Sequence, residues 1–297
     1  MAKHKTVSLV LGSGGARGMA HVGVIHWLLE NQYQIKSISG SSIGALVGGV
    51  YAIDKLDEFE QWMCAVNRRD IFALLDISWD SGGLFKGDRF IDVLRNIIGD
   101  TMISDLPMPY TAVATNLQTG KEVWIDDGLL IDAIRASISI PLFFTPYKYN
   151  NSLLIDGGVL NPVPIAPTFS DFTDLTIAVN VSGGFKKHIH QPVTTVEPQK
   201  NSSRLSEKIH RFIHDMKDRA SSYIQTSTEL DMDMIDIAYQ SYDAMQSTIA
   251  RQKLAAYPAD ITLEIPRNCC RLLEFDRSRE LVKYGYELAR ENIPKLE

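Results

Sequence analysis

Cysteine is scarce in this chain. Three thiols, Cys64, Cys269 and Cys270, are spread over 297 residues, with no CxxC pair and no Cys/His ligand spacing. That argues against a disulfide framework and a structural zinc, and the thiols are expected to be buried and inert. Charge of one sign is also lacking. Thirty Lys and Arg stand against 36 Asp and Glu, for a net −6. Such a balance gives no global pull toward nucleic acid or anionic lipid. A long apolar run is missing too. Met1 to Leu11 holds two lysines, a histidine and a short apolar stretch before the glycines begin. That fits neither a signal peptide nor a membrane span, so the expectation is a cytoplasmic protein. There is no internal repeat and no low-complexity tract.

What is present suits a globular α/β protein. Apolar residues make up 45% of the chain and charged residues 22%, enough for a sizeable core. Residues 1–297 read as one domain. Thr6–Leu11 reads as a strand, Gly12–Gly18 as punctuation, and Met19–Leu29 as a helix. Ile35–Ser39 reads as a second strand, followed by the turn Gly40–Gly44 and a helix to Ala52. Two successive strand–Gly turn–helix units point to a parallel sheet with helices on its faces. Further helices are expected at Leu56–Val66, Phe90–Ile98, Asp132–Ser137, Ile235–Leu254 and Leu272–Asn292. Further strands are expected at Tyr110–Thr115, Glu122–Ile125, Leu153–Ile155, Leu175–Val181 and Ile261–Ile265, with a glycine loop over Asp80–Gly87. From Gly183 to Ser206 the composition turns to Gly, His, Lys, Pro, Ser and Asn, the start of a variable, lid-like segment around 183–230.

Three motifs carry chemistry. Gly40-Ser41-Ser42-Ile43-Gly44 fits G-x-S-x-G between a strand and a helix, the setting that motif needs. A nucleophile on so sharp a turn requires neighbours without side chains, which Gly40 and Gly44 supply. The hydroxyl is then offered near a helix N-terminus, where developing negative charge is favoured. Gly12-Ser13-Gly14-Gly15-Ala16-Arg17-Gly18 has the same strand-to-helix setting. Its glycines leave backbone N–H groups facing one concavity, a nest for a phosphate or an oxyanion. Dinucleotide binding competes, but Arg17 stands where the G-x-G-x-x-G fingerprint needs glycine. Ser39 and Gly40 also replace the acidic residue that should end the second strand. Arg17 either orients this loop, meets a lipid phosphate, or is a locally paired surface charge. Asp156-Gly157-Gly158 follows the Leu153–Ile155 strand. A carboxylate within reach of Ser42 can act as base without a histidine, although on its own Asp-Gly is the pairing of an ordinary turn.

In order and context the three motifs resemble the patatin-like phospholipase family, in particular bacterial members related to the neuropathy target esterase catalytic domain. Arg135-Ala136-Ser137 through Ile140-Pro141, Pro146, and the stretch Phe275–Ala289 with Gly285 are similar as well, so the likeness spans nearly the whole chain. The resemblance implies a three-layer α/β/α fold with a mostly parallel central sheet, without metal or cofactor. It implies a Ser42–Asp156 dyad, an oxyanion hole from the N–H groups of Gly14, Gly15 and Ala16, and motif support from Gly12, Arg17, Gly18, Gly40, Gly44, Gly157 and Gly158. The implied activity is hydrolysis of carboxylic esters of phospholipids, lysophospholipids or related lipids. Two departures stand out: Ser13 replaces a frequent third glycine, and Ser41 replaces a frequent threonine.

A Ser-His-Asp triad is the rival mechanism. In the α/β-hydrolase order it would draw on His188, His190, His210 or His214, whereas His4, His21 and His26 are read as structural. The partner expected is a lipid or ester substrate, not nucleic acid; nothing in the sequence bears on oligomeric state. Arg204–Arg219 reads as a basic amphipathic helix, either lying on the inner face of a membrane or packing its apolar stripe on the domain. A non-catalytic protein binding lipid or an anion on the same scaffold is the alternative from another class.

Overall fold

The β-branched and leucine runs of the sequence fall on the strands of one sheet, and their alternation decides which face each residue serves. The computed structural model describes residues 4–67, 70–71, 77–78, 84–85, 87–186 and 229–296. The strands are β1 (Thr6–Leu11), β2 (Gln34–Ser41), β3 (Ile77–Ser78), β4 (Leu84–Phe85), β5 (Tyr110–Asn116), β6 (Lys121–Ile125), β7 (Tyr147–Tyr149), β8 (Ser152–Asp156), β9 (Leu175–Gly183) and β10 (Ile261–Pro266). The helices are α1 (Met19–Glu30), α2 (Ile43–Ala52), α3 (Leu56–Ala65), α4 (Asp88–Ile98), α5 (Leu130–Ser137), α6 (Glu229–Ala256) and α7 (Ser278–Asn292).

The main sheet runs β10-β9-β1-β2-β5-β8-β7, with β6 on β5. From β10 to β5 every pairing is parallel, and β6, β8 and β7 add antiparallel pairings. Side chains alternate across it with period two. On β1, Val7, Leu9 and Leu11 join the large core, while Val10 faces a smaller one with Ala178, Val163 and Ile165. Ala250 of α6 belongs to that smaller core, so α6 covers the face opposite α1 and α7. Helices therefore flank a mostly parallel sheet, the α/β/α layering expected. On the α1/α7 side the two helices cross closely. A Cβ on Gly23 would stand 1.9 Å from the Val282 carbonyl oxygen, and one on Gly285 2.0 Å from that of Ala20.

One register places the site. On one edge of β5, β2 pairs in parallel up to Ser41↔Val113. The next residue, Ala114, pairs with Asp156 of the antiparallel β8, while β6 occupies the other edge. The C-terminal ends of β2 and β8 thus meet head to head. A Cβ on Gly157 would lie 2.0 Å from the Val113 carbonyl oxygen and 2.6 Å from Ser41 Oγ. Gly157→Ala must push β8 off that edge. A loss of ~1–3 kcal/mol of stability, typical of overpacking, should show in thermal melts.

Three expectations differ from the structure. Within the supposed glycine loop, Leu84–Phe85 pairs with Ile77–Ser78 in a short antiparallel ladder. Strand β7 was not anticipated; its Tyr147 and Tyr149 are half-buried beside α5 and β8. The closing helix begins at Ser278 rather than Leu272, after a single 3-10 turn at Phe275–Arg277. The Leu272 carbonyl instead accepts the Ala16 N–H at 2.8 Å, which holds that stretch against the glycine loop. The lid-like segment beyond Lys186, with Arg204–Arg219 and His188, His190, His210 and His214, lies outside the described residues. Among those described, no helix is long and apolar enough to cross a membrane.

Candidate active site

Ser42 sits where β2 turns into α2, with φ 57° and ψ −125°. A non-glycine residue pays roughly 1–3 kcal/mol for such a backbone, a cost that persists only where the surroundings over-determine it. Here they do. A Cβ on Gly40 would lie 2.5 Å from the Ala45 nitrogen, and one on Gly44 2.1 Å from the Leu11 carbonyl oxygen. The Ser42 N–H donates to Ser137 Oγ at 2.8 Å, and that hydroxyl donates to the Val113 carbonyl at 2.6 Å. Ser137 at the end of α5 therefore pins the turn to β5.

The head-to-head meeting of β2 and β8 brings Asp156 to this turn. Ser42 Oγ donates directly to Asp156 Oδ2. The other oxygen, Oδ1, accepts the Gly158 N–H at 2.7 Å and, more weakly, the Tyr242 hydroxyl at 3.4 Å. Asp156 is fully buried. Burial pushes its pKa up to about 7, against the hydrogen bonds from Ser42, Gly158, Tyr242 and Ser13 that favour the carboxylate. A buried acid poised there can take a proton from a hydroxyl and return it near neutral pH.

The glycine loop closes over the same place. The Gly12 and Ser13 N–H groups are committed to the carbonyls of Val179 and Pro162. Ala16, expected to donate to an oxyanion, instead gives its N–H to Leu272. Gly14 and Gly15 remain without a backbone acceptor among the described residues, and Gly15 turns through φ +57°. Arg17 is not a surface charge. It is 1% exposed and donates to Gly14 O at 3.1 Å, Arg267 O at 2.7 Å and Asp243 Oδ1 at 2.5 Å. All three bonds are internal, and the one to Gly14 O ties the guanidinium to the loop. His21 donates its Nε2–H to Gly12 O at 2.8 Å, and burial lowers its pKa to about 4, so it is neutral.

Ser42 and Gly15 share one cavity. Ile43, Leu46, Trp62, Met63, Phe90 and Phe144 are among its walls, and they leave it almost wholly apolar. The residues that sequence reasoning missed are Ser137 and a group on α6: Tyr239, Tyr242, Asp243 and Gln246. The α6 residues, spaced at three, four and seven, share one helix face, and that spacing alone carries no functional signal. The three cysteines are free, with Cys269 and Cys270 buried. Among the described residues, one His–carboxylate group, His26 with Asp57 and Glu60, has its polar atoms within 4.8 Å of one another. His26 Nε2 and Glu60 Oε2 already meet there at 2.7 Å as a half-exposed pair.

Known proteins bear on what this arrangement is. A family model described as "Patatin-like phospholipase" matches residues 9–169. An uncharacterised NTE family protein of Mycobacterium tuberculosis is 37% identical over 98% of this chain and 92% of its own length. Lysophospholipase NTE1 of Saccharomyces cerevisiae is 31% identical over 60% of this chain and 11% of its own length. In solved structures, VipD from Legionella pneumophila aligns with 97% of this chain and 66% of its own, at TM-score 0.47 and 14% identity. The family match covers more than half of the chain, and the mycobacterial relative nearly all of it: the chain belongs to the patatin-like phospholipase family.

Proposed function

We propose that the protein is a serine acyl hydrolase acting on a lipid ester through a single acyl chain, with Ser42 as nucleophile and Asp156 as its base. The observation that carries this is the direct Ser42 Oγ–Asp156 Oδ2 hydrogen bond, with Ser42 lining one apolar cavity. Ser42 Oγ attacks the ester carbonyl carbon as its proton passes to Asp156. The N–H groups of Gly14 and Gly15 receive the negative oxygen, since preorganised donors stabilise charge that develops there. Collapse breaks the bond to the alcohol, which leaves with the proton held by Asp156. Water then attacks the acyl-serine; Asp156 takes the water proton and returns it to Ser42 as the fatty acid departs. Patatin-family membership and a relative named as a lysophospholipase support a lipid ester as substrate.

The walls of this cavity are almost wholly apolar, as the lining of a site for one acyl chain should be, and that supports monoacyl lipids as the first substrates to try. The test is a comparison of lysophospholipid, diacyl phospholipid and p-nitrophenyl esters of short and long chain, in wild type and Leu46→Trp. Leu46 lies one helical turn beyond Ser42 and lines the cavity. The indole should lower kcat/KM for long chains by about tenfold or more, given that each buried CH₂ is worth ~0.8 kcal/mol, and spare butyrate. Equal loss on all chain lengths would remove the acyl-cavity assignment.

A further inference from the structure

Helix α6 reaches across the smaller core face to the catalytic centre with a run of buried polar groups. Gln246 is 2% exposed. Its Nε2 donates to Ser13 Oγ at 3.0 Å and to the Tyr242 hydroxyl at 2.8 Å. An amide nitrogen carries two protons and accepts nothing, so both are spent on these two oxygens. Each hydroxyl then has one lone pair taken and its own proton to place. Tyr242 gives its proton to Asp156 Oδ1 at 3.4 Å, and the Ser13 hydroxyl also favours the charged form of Asp156. The packing leaves no slack. A Cβ on Gly158 would come within 2.0 Å of Gln246 Nε2 and 2.4 Å of Ser13 Oγ.

We infer that Gln246 is a positioning residue for the base: by donating to both Ser13 and Tyr242 it aims their hydroxyl protons at Asp156, and so sets the pH at which Asp156 becomes ionised. The opposite amide orientation would present a carbonyl oxygen to both hydroxyls and draw their protons away from the carboxylate. Asp156 would then keep only Ser42 and the Gly158 N–H. Hydrogen bonds to the charged form lower a carboxylate's pKa, and here they work against complete burial.

The other groups facing Asp156 do not supply the same control. From α6 come Tyr239, Tyr242 and Asp243; from the glycine loop, Ser13 and Arg17; from the α5 side, the Ser139 carbonyl, which accepts the Asp156 N–H at 2.9 Å. Burial raises the pKa of Tyr239 and Tyr242, so both stay neutral. Cys270 acts on Arg17 and Tyr239 rather than on the carboxylate itself. Arg17 and Asp243 are bound to each other and present no net charge.

The inference rests on the Ser42–Asp156 reading, and its test separates the two. The pH dependence of kcat/KM for p-nitrophenyl butyrate would be measured for wild type, Gln246→Leu, Gln246→Glu, Tyr242→Phe and Ser13→Gly, with Ser42→Ala and Asp156→Asn beside them. Gln246→Glu is nearly isosteric and accepts where the amide donates, so it mimics the reversed orientation. Its acidic limb should move to higher pH by about one unit, read as a roughly tenfold loss on the limb that recovers toward the alkaline plateau. Gln246→Leu, Tyr242→Phe and Ser13→Gly should move it the same way by less. Ser13→Gly combined with Gln246→Leu should shift it less than the sum of the two, because they act on one path. A limb that stays in place while activity falls at every pH would mean that Gln246 only packs, and would overturn the inference while leaving the dyad standing. Full activity in Ser42→Ala or Asp156→Asn would instead overturn the dyad.

Discussion

Ser42→Ala is expected to lower kcat/KM for ester hydrolysis by roughly 10⁴–10⁶-fold, the scale seen when a serine hydrolase loses its nucleophile or base. Asp156→Asn should fall in the same range, because no other carboxylate is bonded to Ser42 Oγ among the described residues. The two losses should not add, since serine and base act as one unit. Stability separates this from misfolding. The Asp156 pKa is about 7 in the folded protein against ~3.9 for a free aspartate. Between those values the folded state holds a proton that the unfolded chain has released. The stability this contributes is complete below about pH 4 and is lost as pH rises through about 7. Above that, wild type carries a buried charge that asparagine does not. Asp156→Asn should therefore melt above wild type at pH 8 and lose that advantage by pH 4. A variant that is inactive yet more heat-stable at pH 8 is the signature of a functional, destabilising carboxylate. Melting below wild type at pH 8 would mean that Asp156 is structural.

Arg17→Met is expected to be the most damaging change outside the dyad. Three internal acceptors hold the guanidinium, and its removal leaves Asp243 buried beside Tyr239 without its cation. Breaking such a pair from one side typically costs ~3–5 kcal/mol, because the remaining charge is uncompensated. The Gly14 carbonyl also loses its tether, so the N–H groups beside it lose their aim. Activity should fall by roughly 10²–10³-fold, as when one oxyanion donor is lost. Pairing the change with Asp243→Leu tests the cause. If the cost is the orphaned charge, the double variant should recover most of the melting temperature while activity stays low, since the loop remains untethered. Recovery of both would show that Arg17 acts on stability alone. Lysine is a poor substitute. It offers a point charge where guanidinium meets three acceptors from a rigid fork.

Much of this was legible because it is local. The strand–glycine turn–helix units around Gly12–Gly18 and Gly40–Gly44 announce themselves in a few residues, and both form as expected. Their glycines are demanded by contacts the sequence does not display, such as the Leu11 carbonyl against Gly44. Asp156 was ambiguous for a physical reason. An Asp-Gly-Gly after a strand looks like a turn until β8 is known to run antiparallel to β5 and to meet β2 end on. The α6 contribution was out of reach. Arg17 and Asp243 lie 226 residues apart, and Ser13 and Gln246 lie 233 apart. On a helix, Tyr239, Tyr242, Asp243 and Gln246 fall on one face, and nothing local distinguishes that face from a solvated one. Ala16 shows the converse limit. The loop motif names its residues, but which N–H groups remain free depends on a carbonyl brought in by the chain near Leu272.

The most direct test of the central claim is covalent. A fluorophosphonate ester would be incubated with the folded protein at pH 8 and the modified peptide located by mass spectrometry. A single adduct on Ser42 is expected, absent in Ser42→Ala and formed far more slowly in Asp156→Asn. An adduct on another serine, or labelling of Ser42 at an undiminished rate without the Asp156 carboxylate, would contradict the dyad.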